Sequence, residues 1–229
     1  MYQNMLEEGV TIFSSGTTGP PKEIFRTPQN LKACNEVAVD AQRITKNSKV
    51  YTVCKMTHAG GLLAQTLPAI SIGAEVVVED FNAFRWVREI HKYTHTHLAP
   101  GHVDAVIQTK GFKDLDLRGI WVTCGSDCVQ PYMIEFFVRQ GATFMANWGM
   151  SEIGPIVINK TFYDVDQIGA TNILGDTFYC DWKIIDSELV VKSDQCIYDD
   201  WFHTKDLVYL DGPERYMSNH TMYIHDRLI

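Results

Sequence analysis

Near its amino terminus the sequence reads Ser14-Ser15-Gly16-Thr17-Thr18-Gly19-Pro20-Pro21-Lys22, directly after a β-branched run that predicts a strand over Val10–Phe13. The glycines let backbone amides converge on an oxyanion, the hydroxyls can donate to it, and Lys22 adds a positive charge. The segment differs from the Gly-x-x-x-x-Gly-Lys-Ser/Thr loop of P-loop ATPases, because Lys22 follows Pro21 and precedes Glu23. We therefore predict a phosphate-binding loop. A flexible polar turn is the alternative.

Short apolar runs alternate with helical patterns from Val10 to about Asn147, which is typical of a parallel sheet covered by helices. Helix starts are predicted at Thr27-Pro28, at Asn82 and at Pro131, with the helix from Asn82 running through Tyr93. The predicted strands are Val10–Phe13, Val50–Cys54, Glu75–Val78, His97–Ala99, Ile120–Thr123 and Thr143–Ala146.

After Gly154 the helical period disappears and short strands alternate with turn-rich segments, which predicts a small antiparallel region. Its strands are predicted at Trp182–Ile185, Glu188–Lys192, Leu207–Leu210 and Met222–Ile224. We therefore expect an α/β fold, with a mostly parallel sheet and flanking helices followed by a small antiparallel β subdomain. The division falls between residues 1–150, an α/β subdomain that carries the predicted phosphate-binding loop, and residues 151–229, a β-rich subdomain.

The chain of 229 residues is acidic, with 20 Lys and Arg against 28 Asp and Glu, a net charge of −8. Without a basic block this balance argues against non-specific nucleic-acid binding. No apolar run reaches the length of a membrane span, and a basic secretory start is absent. The scattered cysteines form no Cys-x-x-Cys pair. We expect a soluble, cytoplasmic protein without disulfides.

At this point the sequence resembles the adenylate-forming superfamily of acyl-CoA synthetases, luciferases and peptide-synthetase adenylation domains. The segment Ser14–Lys22 is similar to the family loop that embraces the β- and γ-phosphates of ATP. Asn147-Trp148-Gly149-Met150-Ser151-Glu152 is similar to the aromatic-Gly-Met-Thr-Glu motif. Trp201-Phe202-His203-Thr204-Lys205-Asp206-Leu207 is similar to the aromatic-x-Thr-Gly-Asp-Leu motif. The segments fall in the family's order. The resemblance implies that residues 1–150 form a nucleotide-binding subdomain and that residues 151–229 complete the ATP site.

These residue types also suit the chemistry physically. Trp148 offers a flat face for a purine, and Gly149 lets backbone approach closely. Ser151 can donate to the α-phosphate, and Glu152 is a hard oxygen ligand for Mg²⁺. Asp206 can accept both ribose hydroxyls. A buried aromatic, a solvated glutamate and a turn aspartate are the alternative interpretations.

Two weaker matches support the resemblance. Gly125 and Ser126 follow the strand Ile120–Thr123, where the family has a small-residue loop that contacts adenine. His58 lies in a segment like the one that lines the pocket for the acid, although a structural histidine is an equal alternative. The other histidines (His91, His95, His97 and His102) lack the spacing of a zinc site.

The resemblance covers Val10 to Ile229 and implies a truncated member without the amino-terminal subdomain and the carboxy-terminal lid with its catalytic lysine. The end of the chain is similar to the family hinge without its Gly-Arg, and Arg227 is the residue there that could contact the ribose. Lys205 replaces the glycine of the Thr-Gly-Asp motif. We hypothesise that it partly substitutes for the lid lysine, with a solvated turn lysine as the alternative.

The expected function is that of an ATP- and Mg²⁺-dependent ligase that activates an unknown carboxylic acid as an acyl-adenylate and releases pyrophosphate. Lys22, Glu152 and Lys205 are the expected catalytic residues. A nucleotide-binding pseudo-enzyme without turnover and a phosphotransferase are the rivals. The resemblance also leaves room for a partner protein or a second copy that supplies the missing walls.

Overall fold

The structure of the chain, a computed structural model, describes residues 2–14, 21–169, 172–211 and 220–227. In this described part, no helix combines the length and the apolar character needed to cross a bilayer.

Three helices begin where the sequence predicts starts, at Pro28, Ala83 and Pro131. Thr27 Oγ1 accepts a hydrogen bond from the backbone N–H of Asn30 (3.2 Å), and Asn82 Oδ1 accepts one from Arg85 (2.9 Å), so both predicted caps are confirmed. The helix predicted through Tyr93 instead ends as α-helix at Glu89. The helices are α1 (Tyr2–Glu8), α2 (Pro28–Gln42), α3 (Ala59–Gly61), α4 (Leu67–Ser71), α5 (Ala83–Glu89), α6 (Pro100–Ile107) and α7 (Pro131–Val138), with a π-helical turn at Leu62–Thr66 and 3₁₀ turns at Ile90–Lys92, Phe112–Asp114 and Val165–Gln167.

Each predicted strand overlaps an observed one. The strands are β1 (Val10–Phe13), β2 (Glu23–Arg26), β3 (Lys49–Thr52), β4 (Glu75–Val78), β5 (His95–Leu98), β6 (Trp121–Cys124), β7 (Thr143–Met150), β8 (Gly154–Phe162), β9 (Ile173–Gly175), β10 (Thr177–Phe178), β11 (Asp181–Ile185), β12 (Glu188–Lys192), β13 (Phe202–Leu210) and β14 (Met222–Arg227).

The central sheet of the described residues has seven strands in the order β10-β8-β7-β6-β5-β3-β4. Strands β3 to β7 are parallel, and β8 and β10 are antiparallel additions at one edge. From β3 the chain adds β4 on one side and β5 on the other, so the strand order reverses between β3 and β5. In open α/β sheets, ligands bind outside the carboxyl ends of the strands at such a switch point.

The first strand lies outside this sheet. β1 pairs only with β2 among the described strands, antiparallel, with Val10 opposite Arg26 and Phe13 opposite Glu23. The interpretation of Val10–Phe13 as a strand of the parallel sheet is therefore wrong. The connection between β1 and β2 is short, and a parallel pair of strands needs a crossover of a dozen residues or more. The two strands therefore pair antiparallel, as a separate hairpin.

A second sheet holds five antiparallel strands in the order β11-β12-β13-β14-β9. The predicted α/β class, with a mostly parallel sheet followed by an antiparallel region, is confirmed. The chain turns back at residues 151–153, and β8 then pairs with β7 from Met150–Gly154 to Phe144–Phe162. The central sheet thus continues beyond residue 150, and the division into 1–150 and 151–229 stays a prediction.

The largest core cluster lies between the central sheet and helices α5, α6 and α7. Phe137 of α7 is fully buried there, with its ring centroid 5.8 Å from Trp86, 5.1 Å from Phe112 and 5.6 Å from Phe144. Phe136, the preceding residue, is 47% exposed. Two adjacent phenylalanines of one helix therefore differ almost entirely in burial.

We expect Phe137→Ala to lower the free energy of unfolding by about 3–5 kcal/mol, because it removes a buried ring and leaves a cavity. Phe136→Ala, the matched control, is expected to cost less than about 1 kcal/mol. Urea unfolding followed by circular dichroism measures both. If both variants lowered the free energy of unfolding equally, α7 would not pack on the core through Phe137.

Candidate functional site

The two ends of the predicted phosphate-binding loop lie side by side. The backbone N–H of Lys22 donates to Ser14 Oγ (3.1 Å), and the N–H of Ser14 donates to the carbonyl of Lys22 (3.0 Å). These bonds continue the β1–β2 ladder to the base of the loop. The residues between them that were predicted to bind phosphate, Ser15, Gly16, Thr17, Thr18 and Gly19, lie outside the described residues.

His58, predicted to line the acid pocket, lies at this loop base. Its Nδ1 is 3.2 Å from the carbonyl oxygen of Phe13, so Nδ1 donates that hydrogen bond. The N–H of Phe13 in turn donates to the carbonyl of Thr57 (3.0 Å). The segment that follows β3 is therefore attached to the strand that carries the loop.

The next contacts lie at the carboxyl ends of β5 and β6. A Cβ built on Gly60 would lie 2.9 Å from His97 Cε1 and 3.2 Å from Ser126 Oγ, so the glycine permits both side chains to approach. Ser126 has a φ of +79°, in the left-handed region, and its side chain is exposed. The structure thus brings Ser126 to the segment that carries His58.

Gly125 fits closely against Asn147 in the middle of β7. A Cβ on Gly125 would lie 2.5 Å from both the carbonyl oxygen and Oδ1 of Asn147, so a larger residue would displace backbone. Asn147 Nδ2 donates to the carbonyl of Pro155 (2.7 Å), and its buried Oδ1 has no hydrogen-bond partner among the described residues. Such an acceptor suits the exocyclic amine of a purine.

Trp148 and Asp206 meet across the two sheets. Trp148 Nε1 donates to Asp206 Oδ2 at 2.9 Å, and Asp206 is 2% exposed. Gly149 is packed as closely as Gly125, because a Cβ on Gly149 would lie 2.2 Å from the carbonyl oxygen of Gly154. The strand register places Arg227 opposite Asp206 on β14. The motifs around residues 148 and 206 are therefore parts of one site.

Ser151 and Glu152 form the turn between β7 and β8, which is fixed through its backbone. The carbonyl of Ser151 accepts a hydrogen bond from Arg26 Nη1 (2.8 Å), and that of Glu152 accepts one from the N–H of Ile197 (3.0 Å). Both residues are half-buried. The turn is thereby joined to β2, which follows the phosphate loop. The assignment of Ser151 to the α-phosphate stays a prediction.

No group of three or more His, Cys, Asp or Glu close enough to hold a metal occurs among the described residues. Mg²⁺ at nucleotide sites usually takes one or two carboxylates and completes its shell with phosphates and water. A single carboxylate at Glu152, on the turn tied to β2, is compatible with that kind of binding. The metal assignment of Glu152 stays a prediction.

Lys205 is exposed and has a φ of +65°, in the region that favours glycine. Its N–H donates to Glu188 Oε1 (2.9 Å), while His203 Nδ1 lies 2.8 Å from Glu188 Oε2. The hydrogen bond from His203 lowers the pKa of Glu188 below its ordinary value. Lys205 thus occupies the glycine position of the resembled motif and keeps the positive φ that glycine favours.

Two residues that the sequence analysis did not assign belong to this arrangement. Arg26 is fully buried and joins three elements, since its guanidinium also donates to Cys34 Sγ (2.9 Å) and to the carbonyl of Gln195.

His97 is 1% exposed, and burial lowers its pKa to about 4. The predicted strand His97–Ala99 began two residues too late, which hid the position of His97 near the carboxyl end of β5.

Three comparisons place the chain among known proteins. A family model described as AMP-binding enzyme matches residues 9–195. Indoleacetate–CoA ligase from Aromatoleum aromaticum is 32% identical over 149 residues, which cover 63% of this chain and 29% of that protein. Feruloyl-CoA synthase from an Amycolatopsis species is 22% identical over 232 residues, covering 88% of this chain and 47% of that protein. The chain therefore spans less than half the length of either.

A solved structure gives the fold. The N-terminal domain of FACL13 from Mycobacterium tuberculosis, in an inhibitor-bound crystal structure, superposes with a TM-score of 0.79 at 17% identity, covering 95% of this chain and 60% of that one. The α/β fold expected from the resemblance is thereby confirmed.

We expect Arg26→Met to lower the free energy of unfolding by about 2–4 kcal/mol, because it leaves the buried carbonyls of Ser151 and Gln195 without their donor. Arg139→Met is the control, since Arg139 is exposed and pairs only with Glu135 among the described residues. Chemical denaturation of the two variants gives the difference. A stability of Arg26→Met equal to the parent would contradict the role of Arg26 in holding the turn.

Proposed function

Because the chain belongs to the AMP-binding enzyme family, we propose that it binds ATP and activates a carboxylic acid as an acyl-adenylate, releasing pyrophosphate. The relatives named above are both acid–CoA ligases, which supports an acid-activating ligase. They also make an aromatic acid the first substrate class to test and coenzyme A the first acceptor. A soluble, cytoplasmic setting is part of the same proposal.

The hydrogen bond between Trp148 Nε1 and Asp206 Oδ2 is the observation that carries this proposal. It joins two segments 58 residues apart that each match a motif for one part of the nucleotide. The indole N–H holds one carboxylate oxygen of a buried aspartate, which orients that carboxylate for the ribose hydroxyls. Trp148 is then the face against which adenine stacks.

The base end of the nucleotide has further support. Asn147 Oδ1 is a buried acceptor without a partner among the described residues, and adenine carries an amino donor that would satisfy it. Gly125 has no side chain to collide with Asn147, and the next residue, Ser126, supplies an exposed hydroxyl. We assign these residues to adenine, and Asp206 to the ribose.

The phosphate end rests on the loop between Ser14 and Lys22, on Ser151 and on Glu152. Arg26 and the β1–β2 hairpin join the turn of Ser151 and Glu152 to the strand that follows Lys22. We assign the loop to the β- and γ-phosphates and Ser151 to the α-phosphate. Glu152, together with the phosphates, would hold Mg²⁺, which would supply charge neutralisation at the triphosphate.

In the proposed reaction a carboxylate oxygen forms a bond to the α-phosphorus. The bond from that phosphorus to the oxygen bridging toward the β-phosphate breaks, and its electron pair leaves with pyrophosphate. Both reactants are anions, so the reaction needs positive charge where negative charge accumulates. Lys22 serves the departing pyrophosphate. His58, which is hydrogen-bonded to the loop base, borders the acid.

We expect the protein to exchange labelled pyrophosphate into ATP when given Mg²⁺ and a suitable acid from a panel of arylacetic and hydroxycinnamic acids. Asp206→Asn is expected to weaken AMP binding about 10–100-fold in calorimetry, because a charged acceptor of two hydrogen bonds is lost. Asp186→Asn is the control, since Asp186 is exposed in the turn between β11 and β12.

The products separate the alternatives. AMP binding without exchange on any acid identifies a nucleotide-binding protein without turnover, and ADP as product identifies a phosphotransferase. Failure to bind ATP or AMP in any condition refutes the proposal as a whole.

Lys205 gives a separate prediction about catalysis. Lys205→Gly is expected to raise the free energy of unfolding by about 1 kcal/mol, because glycine adopts a positive φ without strain. If its ammonium serves the carboxylate, the same variant exchanges pyrophosphate about tenfold more slowly. Lys205→Asn, which also tolerates this backbone, is expected to be equally slow, and Lys205→Arg to retain most of the rate. Exchange rates unchanged in all three variants leave Lys205 as a solvated lysine.

A further inference from the structure

Arg26 is a buried cation without a buried anion. Its side chain is fully buried, and within the described part of the chain its guanidinium bonds to two backbone carbonyls and one thiol, not to a carboxylate. Burying a charge is costly, and here only dipoles offset that cost. The segments that the guanidinium holds therefore indicate its role.

The planar guanidinium holds two separate segments at once. Nη1 donates to the carbonyl of Ser151 (2.8 Å), and Nη2 donates to the carbonyl of Gln195 and to Cys34 Sγ (2.9 Å). Ser151 belongs to the turn between β7 and β8, whereas Gln195 lies in the segment after β12. The fixed fork of donors in arginine suits two acceptors in different directions, and the ammonium group of lysine lacks that fixed geometry.

Residues 195–197, here called the anchor segment, give the same turn a second support. The N–H of Ile197 donates to the carbonyl of Glu152 (3.0 Å). The anchor segment is in turn held by α2, because Asn30 Nδ2 donates to the carbonyl of Cys196 (2.9 Å). Arg26 therefore holds the turn directly, and Arg26 and Asn30 together hold it through the anchor segment.

The turn is held by its backbone and not by its side chains. The carbonyls of Ser151 and Glu152 both accept hydrogen bonds from the protein. The Ser151 hydroxyl and the Glu152 carboxylate form no hydrogen bond or ion pair among the described residues, and both residues are half-buried. The backbone contacts thus fix where these two side chains begin and leave their polar groups available to a ligand.

The base and ribose end of the proposed site has supports of its own. Trp148 Nε1 donates to Asp206 Oδ2 (2.9 Å), and Asn147 Nδ2 donates to the carbonyl of Pro155 (2.7 Å). Neither hydrogen bond involves Arg26 or the anchor segment. A change at Arg26 is therefore expected to loosen the turn and to leave the base end in place.

We propose that Arg26 is a positioning residue that holds the Glu152 carboxylate ready for Mg²⁺, and that it thereby sets the affinity for ATP with Mg²⁺ but not the affinity for AMP. The inference rests on the proposed function, in which Glu152 is the metal ligand. Its physical basis is preorganisation, because a carboxylate that is already held in place loses less conformational freedom when it binds.

The test measures how much Mg²⁺ strengthens ATP binding, by calorimetry with and without the metal. Arg26→Lys keeps the charge but not the fork, and it is expected to reduce this Mg²⁺ gain about tenfold, because bonds from a charged donor to the turn are lost. Its affinity for AMP is expected to stay within about threefold of that of the parent, since the base end is held separately.

A double-mutant cycle with Glu152→Gln separates positioning from general damage. Glu152→Gln removes the group that is positioned, so Arg26→Lys is expected to cause no further loss of the Mg²⁺ gain in that background. Arg139→Lys is the control, because Arg139 is exposed and pairs with Glu135 on the surface of α7. It is expected to match the parent in every measurement.

Asn30→Asp tests the same junction with less disturbance of the core. Aspartate keeps the acceptor oxygen that bonds to the N–H of Thr27 at the start of α2, but it lacks the amide donor for Cys196. This variant is expected to reduce the Mg²⁺ gain about two- to fivefold, because one hydrogen bond to the anchor segment is lost. It decides the question if Arg26→Lys does not fold.

The outcomes separate this inference from the proposed function. An unchanged Mg²⁺ gain in Arg26→Lys and Asn30→Asp refutes the role of Arg26 while the proposed function stands. Equal weakening of AMP and ATP binding also refutes it, because Arg26 would then support the whole site. Additive losses in the cycle would show that Arg26 does not act through Glu152. If the parent shows no Mg²⁺ gain, or Glu152→Gln retains it, the metal assignment fails and the role of Arg26 fails with it.

Discussion

The contact between Trp148 and Asp206 is the constraint on which the candidate site depends. It crosses from the central sheet to the antiparallel sheet, and it sets one wall of the site against the other. The carboxylate is buried, so its charge would be costly without donors, and the indole N–H is one of them. The tight packing of Gly149 against Gly154 holds the strand that carries the indole. The packing of the two sheets and the proposed nucleotide recognition therefore depend on the same few atoms.

Much of this architecture could be predicted from the sequence. Apolar periodicity and capping residues located the helices that begin after Thr27 and Asn82, and alternation of strands and helices gave the parallel sheet. Motif residues gave Trp148 and Asp206, which the structure brings together. These features depend on local patterns of residues, which a sequence displays directly.

Other features depend on partners distant in the chain and could not be predicted. Val10–Phe13 looks like any buried strand, and only its pairing with β2 removes it from the central sheet. Arg26 is a lone cation in a strand pattern, and its contacts with residues 151 and 195 follow from the tertiary fold. The predicted strand began at His97 because the two preceding residues, His95 and Thr96, are polar and do not look like part of a buried strand. Both are nevertheless buried in β5, where their side chains hydrogen-bond to the backbone carbonyls of Gln42 and Tyr51.

The hairpin of β1 and β2 has a consequence for how such a protein diversifies. Because the ribbon forms no ladder with the central sheet among the described strands, a change in its length or twist leaves the register of the seven strands intact. The Arg26 guanidinium anchors the ribbon near the end remote from the loop. Evolution can therefore vary the length of the loop that we propose to hold polyphosphate without rebuilding the central sheet.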